Sequence, residues 1–309
     1  MHAQISVAHP SLLDNIDNLS VEVENRMLAA INCGDLKGRD APVGATGAAD
    51  AAVYHLGSGG LRVRARLGLY ASLALGLSKD DAVTIAATAE LLHNASLVHD
   101  DLQDRDPFRR GVPAVWAAFG INVAVCAGDL LLSAAYGALC NFSNPRALPS
   151  LLERVHERTA AAIAGQCADL SFSASTDKGI AWYEQTAAAK SGALLGLPLE
   201  LALLGSGHAR STSDARRAAK AFSVSYQIAD DLHDVQNDAG VDDALPALNV
   251  AFILKASGYG TGARAAAKKL GLQHLSAAFS AAERLPCESG ALLLALAHDL
   301  REFLTVREV

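Results

Sequence analysis

The sequence predicts an all-α protein. Hydrophobic residues make up 51% of the 309 residues but aromatic residues only 5%, so the core consists mainly of Ala, Leu and Val, a composition typical of closely packed helices. Strand patterns bounded by turn pairs are scarce along the chain. No shift in composition marks a domain boundary, so we expect one domain over residues 1–309, with residues 1–12 loosely ordered.

Helical patterns follow one another, with breaks at glycine- and proline-containing positions. A loop rich in Gly, Asp and Pro is expected at 34–47. Helices are expected at about 13–31, from 48 to the glycines at 57–60, and then at 61–77, 79–104, 119–140, 147–173, 179–205, 212–233, 245–257, 261–283 and 288–304.

Charge and cysteine usage exclude several classes of protein. The net charge of −7, without a basic stripe or tail, argues against nucleic acid as a partner. The five cysteines are scattered and form no C-x-x-C pair, which predicts buried free thiols in a reducing cytosol and no zinc site. The N-terminus has no signal-peptide pattern, and Asp129 and Glu200 interrupt the longest apolar runs before the ~18 residues of a membrane span. We therefore expect a cytoplasmic protein without a transmembrane segment.

The most informative stretch ends the predicted helix 79–104. It contains Asp100, Asp101 and Asp104, and at 100° per residue His93 lies on the same helical face as Asp100 and Asp104. The run before them is apolar, so this face differs from an ordinary solvated one.

A second acidic triplet, Asp230, Asp231 and Asp234, ends another apolar helical run. A single D-D-x-x-D is weak evidence, since acidic clusters often cap or solvate helix ends, but two copies are harder to explain that way. Carboxylates held together repel one another unless a cation lies between them, and Mg²⁺ is usually held by a few carboxylates and substrate phosphates.

Cationic residues near these triplets have both structural and functional interpretations. Arg109 and Arg110 either balance nearby carboxylates or clamp a phosphate. Lys190 is either a surface residue or a phosphate contact, and Gln166 and Asp169 are either a solvated pair or part of a site. Positive charge at the start of helix 61–77 opposes the helix dipole, and a bound anion would compensate it.

Taken together, these motifs resemble the trans-isoprenyl diphosphate synthases, the family of farnesyl and geranylgeranyl diphosphate synthases. The segments that carry the resemblance, in family order, are YHLGSGGLRVRA, LLHNASLVHDDLQDRDPFRRGVP, AGDLLL, GQCAD, Lys190-Ser191 and YQIADDLHD. The resemblance implies a large bundle of antiparallel helices around a central cavity, usually homodimeric. It also implies Mg²⁺-dependent condensation of an allylic diphosphate with isopentenyl diphosphate.

The resemblance also implies roles for individual residues. Catalytic roles are implied for Asp100, Asp104, Arg109, Lys190 and Asp230, and Mg²⁺ binding for Asp100, Asp101, Asp104, Asp230, Asp231 and Asp234. Contacts to the allylic diphosphate are implied for Arg109, Lys190 and Gln227, with Ser191 shaping the reaction site, and contacts to isopentenyl diphosphate for Arg64, His93 and Arg110.

The sequence departs from the family pattern at two places. The family Lys after Gly-Gly is Leu61 here and its Pro is Ala65, so the cations for isopentenyl diphosphate are fewer unless Arg62 joins them. The segment 235–244 lacks the family Lys and carries extra acidic residues, so one diphosphate contact is missing and the expected lid is shorter.

The resemblance places chain-length control one and two turns before Asp100, at Ala95, Ser96 and Leu92. Small residues there permit a product as long as geranylgeranyl diphosphate, which is the product we expect. Three alternatives remain open at this point. They are a class I terpene cyclase, a non-catalytic subunit of a prenyl synthase, and a phosphohydrolase suggested by His99-Asp100.

Overall fold

The computed structural model describes residues 10–32, 47–171, 179–237 and 249–306. In these ranges the protein is almost entirely helical, which confirms the predicted all-α class. The helices are α1 (Pro10–Ile31), α2 (Gly47–Gly57), α3 (Val63–Ala74), α4 (Lys79–Gln103), α5 (Val115–Phe119), α6 (Ile121–Leu139), α7 (Leu148–Leu170), α8 (Ile180–Ala187), α9 (Ala193–Gly205), α10 (Thr212–Asn237), α11 (Val250–Leu254), α12 (Ala263–Ala282) and α13 (Ala291–Val306).

Most helix boundaries agree with the sequence prediction to within a few residues. The main additions are the short helix α5, a two-stranded antiparallel hairpin, β1 (Phe108–Arg109) with β2 (Val112–Pro113), and π-helical turns at Ala188–Gly192 and Lys255–Tyr259. Helix α1 begins at Pro10, so residues 10–12 are helical, whereas residues 1–9 lie outside the described residues. The predicted loop and lid, apart from their edges, also lie outside them.

Contacts divide the chain into two compact units. The first combines Pro10–Val155 with Leu201–Gly207, and its central helix is α4, which packs against α1, α3 and α6. Ser78 caps α4 by accepting a hydrogen bond of 3.1 Å from the backbone N–H of Asp81. Much of α4 is buried, and its alanines and those of α6 allow the two helices to approach closely.

The second unit contains His156–Glu200 and the described residues from His208 onward. Within it α10 packs against α12, and α11 and α13 lie against the same pair. The expectation of a single domain over the whole chain stays a prediction.

Two helical stretches are long and apolar enough, by length and composition, to cross a membrane. They are Ile121–Leu139 and the continuous stretch Ile180–Gly205, and 39% and 72% of their respective apolar 18-residue windows are buried within the protein. Core helices satisfy the same criterion, so these stretches are weak evidence for a span.

The predicted burial of the thiols was wrong for the described cysteines. Cys126 and Cys167 lie on exposed faces of α6 and α7, Cys140 is the C-cap of α6 and Cys287 lies in the 3-10 turn Pro286–Glu288, and all four are free and exposed.

Candidate active site

The first unit contains a cavity of about 580 Å³ where the α2–α3 connection faces α4 and the β1–β2 hairpin. The cavity brings together all four residues that the sequence connected with isopentenyl diphosphate, Arg62, Arg64, His93 and Arg110. The complete lining is Ser58, Gly60, Leu61, Arg62, Val63, Arg64, Glu90, His93 and Arg110. Three guanidinium groups and one carboxylate give this cavity a net positive charge, which favours an anionic ligand.

Arg110 is positioned by the connection between α2 and α3. Its guanidinium donates to the carbonyl oxygen of Gly59 and lies 3.4 Å from Oγ of Ser58. Gly60 has φ +124°, and a Cβ there would come within 2.7 Å of the Arg110 guanidinium. The backbone conformation therefore favours glycine here, and any side chain at position 60 would displace the Arg110 guanidinium. Burial and the neighbouring Arg62 lower the pKa of Arg110.

Arg62 immediately precedes α3 and has a left-handed backbone with φ 49°. Its Nε donates to Oε1 of Glu24 at 2.6 Å, and its Nη2 donates to the carbonyl oxygen of Leu56 at 2.8 Å. Its Nη1 lies 3.7 Å from Oε1 of Glu90. Arg62 thus lines the cavity while two carboxylates hold its guanidinium.

Glu90 is buried on α4 and accepts a hydrogen bond of 3.1 Å from the backbone N–H of Ala65. A proline at position 65, which the resemblance led us to expect, has no N–H and could not make this bond. The replacement of the family proline by Ala65 therefore supplies an N–H that helps to orient the carboxylate of Glu90 in the cavity.

Two histidines near the arginines are held in the neutral form. Burial, followed by the nearby Arg64 and Arg110, lowers the pKa of His93 well below its usual value. The pKa of His55 on α2 is lowered to about 4, chiefly by burial and then by Arg110 and Arg109. His93 therefore presents a neutral imidazole to the cavity.

The C-terminal end of α4 orients the three aspartates of the first triplet differently. Asp100 is half-buried and Asp104, the C-cap, is exposed, whereas Asp101 is buried. Asp101 accepts a hydrogen bond of 2.8 Å from Nε of Arg109 on the hairpin, and a second from Nη2. Burial raises the pKa of Asp101, and the bond to Asp101 raises the pKa of Arg109. Asp101 therefore holds Arg109 of the hairpin against the C-terminal end of α4.

In the second unit the middle aspartate of the second triplet is also directed into the protein. Oδ2 of Asp231 accepts hydrogen bonds from the Tyr183 hydroxyl at 2.7 Å and the Val250 N–H at 2.8 Å, and Oδ1 accepts one from Gln227 at 2.8 Å. Burial raises the pKa of Asp231 to about 6. Asp230 is exposed, and the side chain of Asp234 lies outside the described residues.

Lys190 lies in the π-helical turn Ala188–Gly192, and its ammonium donates to Oδ2 of Asp169 on α7. Gly165 permits this approach, because a Cβ there would overlap the backbone of Ala189 and Lys190. In the GQCAD segment, Gly165 thus lets α7 approach the turn closely, and Asp169 binds Lys190. Ser191, in the same turn, is half-buried.

Of the chain-length positions, Ala95 and Leu92 are buried on α4. Ser96 is half-buried, and its hydroxyl donates to the carbonyl oxygen of His93 at 2.8 Å.

The donor set at the end of α4 fits a hard cation. Asp100 and Asp104 are one helical turn apart, supply oxygen ligands only, and lie at a helix C-terminus, where the dipole favours positive charge. Oδ2 of Asp101 is buried without a hydrogen-bond partner. In the described ranges no three His, Cys, Asp or Glu side chains form a group that could hold a metal ion. Mg²⁺ usually takes a few carboxylates and completes its coordination with water and substrate phosphates, so Asp100 and Asp104 are the residues that would hold it.

Several residues that organise these features were not singled out from the sequence. Glu24, His55, Glu90 and Tyr183 all contact or surround the predicted site residues. Only Glu90 carried a usable signal, because it is a charged residue within the apolar run of α4.

The all-α fold and the arginine-lined cavity together define a helical protein with a site suited to anions. Residues 47–243 match the family model described as polyprenyl synthetase, and the chain belongs to this family. The resemblance predicted from the sequence is thereby confirmed.

Similar proteins include two from Mycobacterium tuberculosis. A (2E,6E)-farnesyl diphosphate synthase is 37% identical over 174 residues, which is 56% of this chain and 48% of that protein. A geranylgeranyl diphosphate synthase is 31% identical over 186 residues, which is 60% of this chain and 53% of that protein. The chain thus spans about half the length of these curated relatives.

The fold is also similar to that of the solved geranylgeranyl pyrophosphate synthetase from Geoglobus acetivorans. The TM-score is 0.80 at 24% identity, and the match covers 93% of this chain and 99% of the other. At this identity the likeness establishes the fold alone.

Proposed function

We propose that the protein is a Mg²⁺-dependent prenyltransferase that condenses an allylic diphosphate with isopentenyl diphosphate to give geranylgeranyl diphosphate. It acts as a homodimer in the cytoplasm. Family membership supports the reaction class, and the scattered cysteines without a C-x-x-C pair support a reducing compartment. The observation that carries the proposal is the cavity with three arginines, which opens beside the helix that ends in Asp100 and Asp104.

Isopentenyl diphosphate is proposed to occupy this cavity. Arg64 and Arg110 bind its diphosphate, because guanidinium groups donate to phosphate oxygens in pairs. Neutral His93 donates one further hydrogen bond from the face of α4 that leads to Asp100.

The allylic diphosphate is proposed to be bound at the end of α4 by Arg109, with Asp100 and Asp104 as ligands of the metal. The second unit carries groups of the same chemistry, namely Asp230, Lys190 and Gln227. Asp101 and Asp231 then act mainly by orienting Arg109 and Gln227, which they already bind.

The reaction breaks the allylic C–O bond, and its electrons leave with the diphosphate. The double bond of isopentenyl diphosphate attacks the allylic carbocation, and the departed diphosphate accepts the proton that is then lost. When bound, Mg²⁺ neutralises the negative charge that develops on the leaving diphosphate. The apolar residues of α4 exclude water that would otherwise capture the carbocation.

Product length is proposed to follow from the small side chain of Ala95, together with Ser96 and Leu92. A small residue leaves room for a chain that grows past this level of α4, which favours geranylgeranyl diphosphate over a shorter product.

The test is an incubation of the protein with Mg²⁺, labelled isopentenyl diphosphate and, in turn, dimethylallyl, geranyl and farnesyl diphosphate. A geranylgeranyl product supports both the reaction and the chain length, and another discrete prenol supports the reaction but not the chain length. An Ala95→Phe variant should give a shorter product. A folded protein that elongates none of the starters overturns the proposal and favours the cyclase or the non-catalytic subunit.

A further inference from the structure

Helix α1 contributes to the cationic cavity through Glu24. The carboxylate of Glu24 binds two nitrogens of Arg62, Nε at 2.6 Å and Nη2 at 3.3 Å. This paired geometry fixes the plane of the guanidinium as well as its position. The carbonyl oxygen of Leu56 accepts a further hydrogen bond from Nη2, so the guanidinium edge that faces α1 and α2 is fully occupied.

The opposite edge of the same guanidinium remains available as a donor. Nη1 of Arg62 is buried and has no hydrogen-bond partner, although Oε1 of Glu90 lies 3.7 Å away. A buried charged donor without an acceptor is costly, and an anion in the adjoining cavity would provide the acceptor.

Nη1 of Arg62 matters for anion binding because the neighbouring Leu61 supplies no cation. The side chain of Leu61 is apolar and 78% exposed, so it contributes no charge to the cavity that it lines. Arg62, the residue after Leu61, adds a third guanidinium to those of Arg64 and Arg110.

We propose that Arg62 supplies the cation that Leu61 does not, and that Glu24 is the positioning residue that holds Arg62 toward the diphosphate of isopentenyl diphosphate. The inference rests on the proposed function for the identity of the ligand. It assigns to α1 a part in substrate recognition that the motifs around the cavity do not indicate.

A purely structural role for Glu24 is the competing explanation, since the ion pair also ties α1 to α3. The chain offers a matched control for it. Arg66, one turn further along α3, binds Asp17 of α1 at 3.0 Å and does not line the cavity. Loss of the Arg66 pair removes an α1–α3 link without removing a cavity cation.

The experiment measures KM for isopentenyl diphosphate and for the allylic substrate separately in R62A, E24Q and R66A. We expect R62A to raise KM for isopentenyl diphosphate roughly 10- to 100-fold, the range for loss of a hydrogen bond to a charged group. E24Q should raise it about 3- to 10-fold, because the amide places a donor against Nη2. In both variants KM for the allylic substrate should change little, and R66A should resemble the unmodified protein.

Two combined variants separate positioning from stability. E24Q should have no further effect in an R62A background, because Glu24 acts through Arg62. Adding L61K to R62A should recover much of the affinity by restoring a cation. An unchanged KM in R62A, an effect of E24Q that persists without Arg62, or an R66A effect equal to that of E24Q would overturn the inference.

A binding measurement distinguishes failure of this inference from failure of the proposed function. Inorganic pyrophosphate is titrated into each variant by calorimetry without divalent metal. Weaker binding in R62A and E24Q but not in R66A supports the inference even if the protein elongates nothing. Equal affinities in all variants overturn it even if the protein is an active synthase.

Discussion

Arg109 of the hairpin and Asp101 of α4 form a closed pair in which Nε and Nη2 of the arginine both donate to Oδ1 of the aspartate. The pair leaves Asp101 buried, with Asp100 and Asp104 on more exposed positions of the same helix end. The three aspartates of one motif therefore have different environments, and they should respond differently to substitution.

Asp100→Asn and Asp104→Asn should each lower kcat by roughly 10³-fold, because they remove carboxylates proposed to hold the metal. Asp101→Asn should lower it less, by about 10-fold, since its main partner is Arg109. Asp80→Asn, at the other end of α4, is the control and should leave kcat unchanged. The measurement is kcat from steady-state kinetics, with circular dichroism as a check of folding. Equal losses of kcat at all three positions would contradict different roles for Asp101 and for Asp100 and Asp104.

Tyr183→Phe should destabilise the protein by about 1–2 kcal/mol. The buried Oδ2 of Asp231 accepts hydrogen bonds from the Tyr183 hydroxyl and the Val250 N–H, and the variant removes the first of these donors. Urea denaturation measures the change. Tyr259→Phe is the control, since Tyr259 is largely exposed, and it should lie within about 0.5 kcal/mol of the unmodified protein. Similar values for the two variants would show that the Tyr183 hydroxyl is unimportant.

Gly165→Ala should be destabilising by about 1–3 kcal/mol, because the added Cβ meets the backbone of the π-helical turn rather than a movable side chain. The displacement should also move Lys190 and lower catalytic activity. Gly137→Ala is a suitable control, since nothing lies within 4 Å of a Cβ at that helical position. Thermal denaturation and kcat are the readouts, and unaltered values in Gly165→Ala would refute the close approach.

The part of the stability that depends on His55 should fall as the pH drops from about 6.5 to about 4, because His55 has a pKa of about 4 in the folded protein and an ordinary value of 6.5 when unfolded. In this window the unfolded chain binds the proton and the folded chain does not, so protonation favours unfolding. Protonation of His55 should lower the free energy of unfolding by about 3 kcal/mol in total between pH 6.5 and pH 4, and above pH 6.5 His55 should cause no further change.

In chemical denaturation between pH 7.5 and 4.5, a His55→Gln variant should lose the destabilisation that His55 causes on acidification. The slope that remains combines His93, whose pKa is lowered, with Asp101 and Asp231, whose raised pKa values act in the opposite direction. His156→Gln, at an exposed position, should retain the full slope. A His55→Gln profile parallel to that of the unmodified protein would contradict the assignment.

Helix positions were predictable because apolar spacing and the breaks at Gly and Pro are local properties of the chain. The hairpin at Phe108–Pro113 was not, since two-residue strands carry too few side chains for a pattern. The exposure of the described cysteines was not predicted either, because a thiol is only weakly polar and its sequence position does not indicate whether it faces the core or solvent.

The sequence by itself determined the all-α class, the family and the grouping of His93, Asp100 and Asp104 on one face of α4, because helical periodicity and motif spacing are fixed by neighbouring residues. Only the tertiary structure decided which aspartate of each triplet is directed into the protein. It alone brought Glu24 to Arg62 and Asp169 to Lys190. These pairs join residues that are distant in the chain, and packing between helices, which no local pattern encodes, sets their distances.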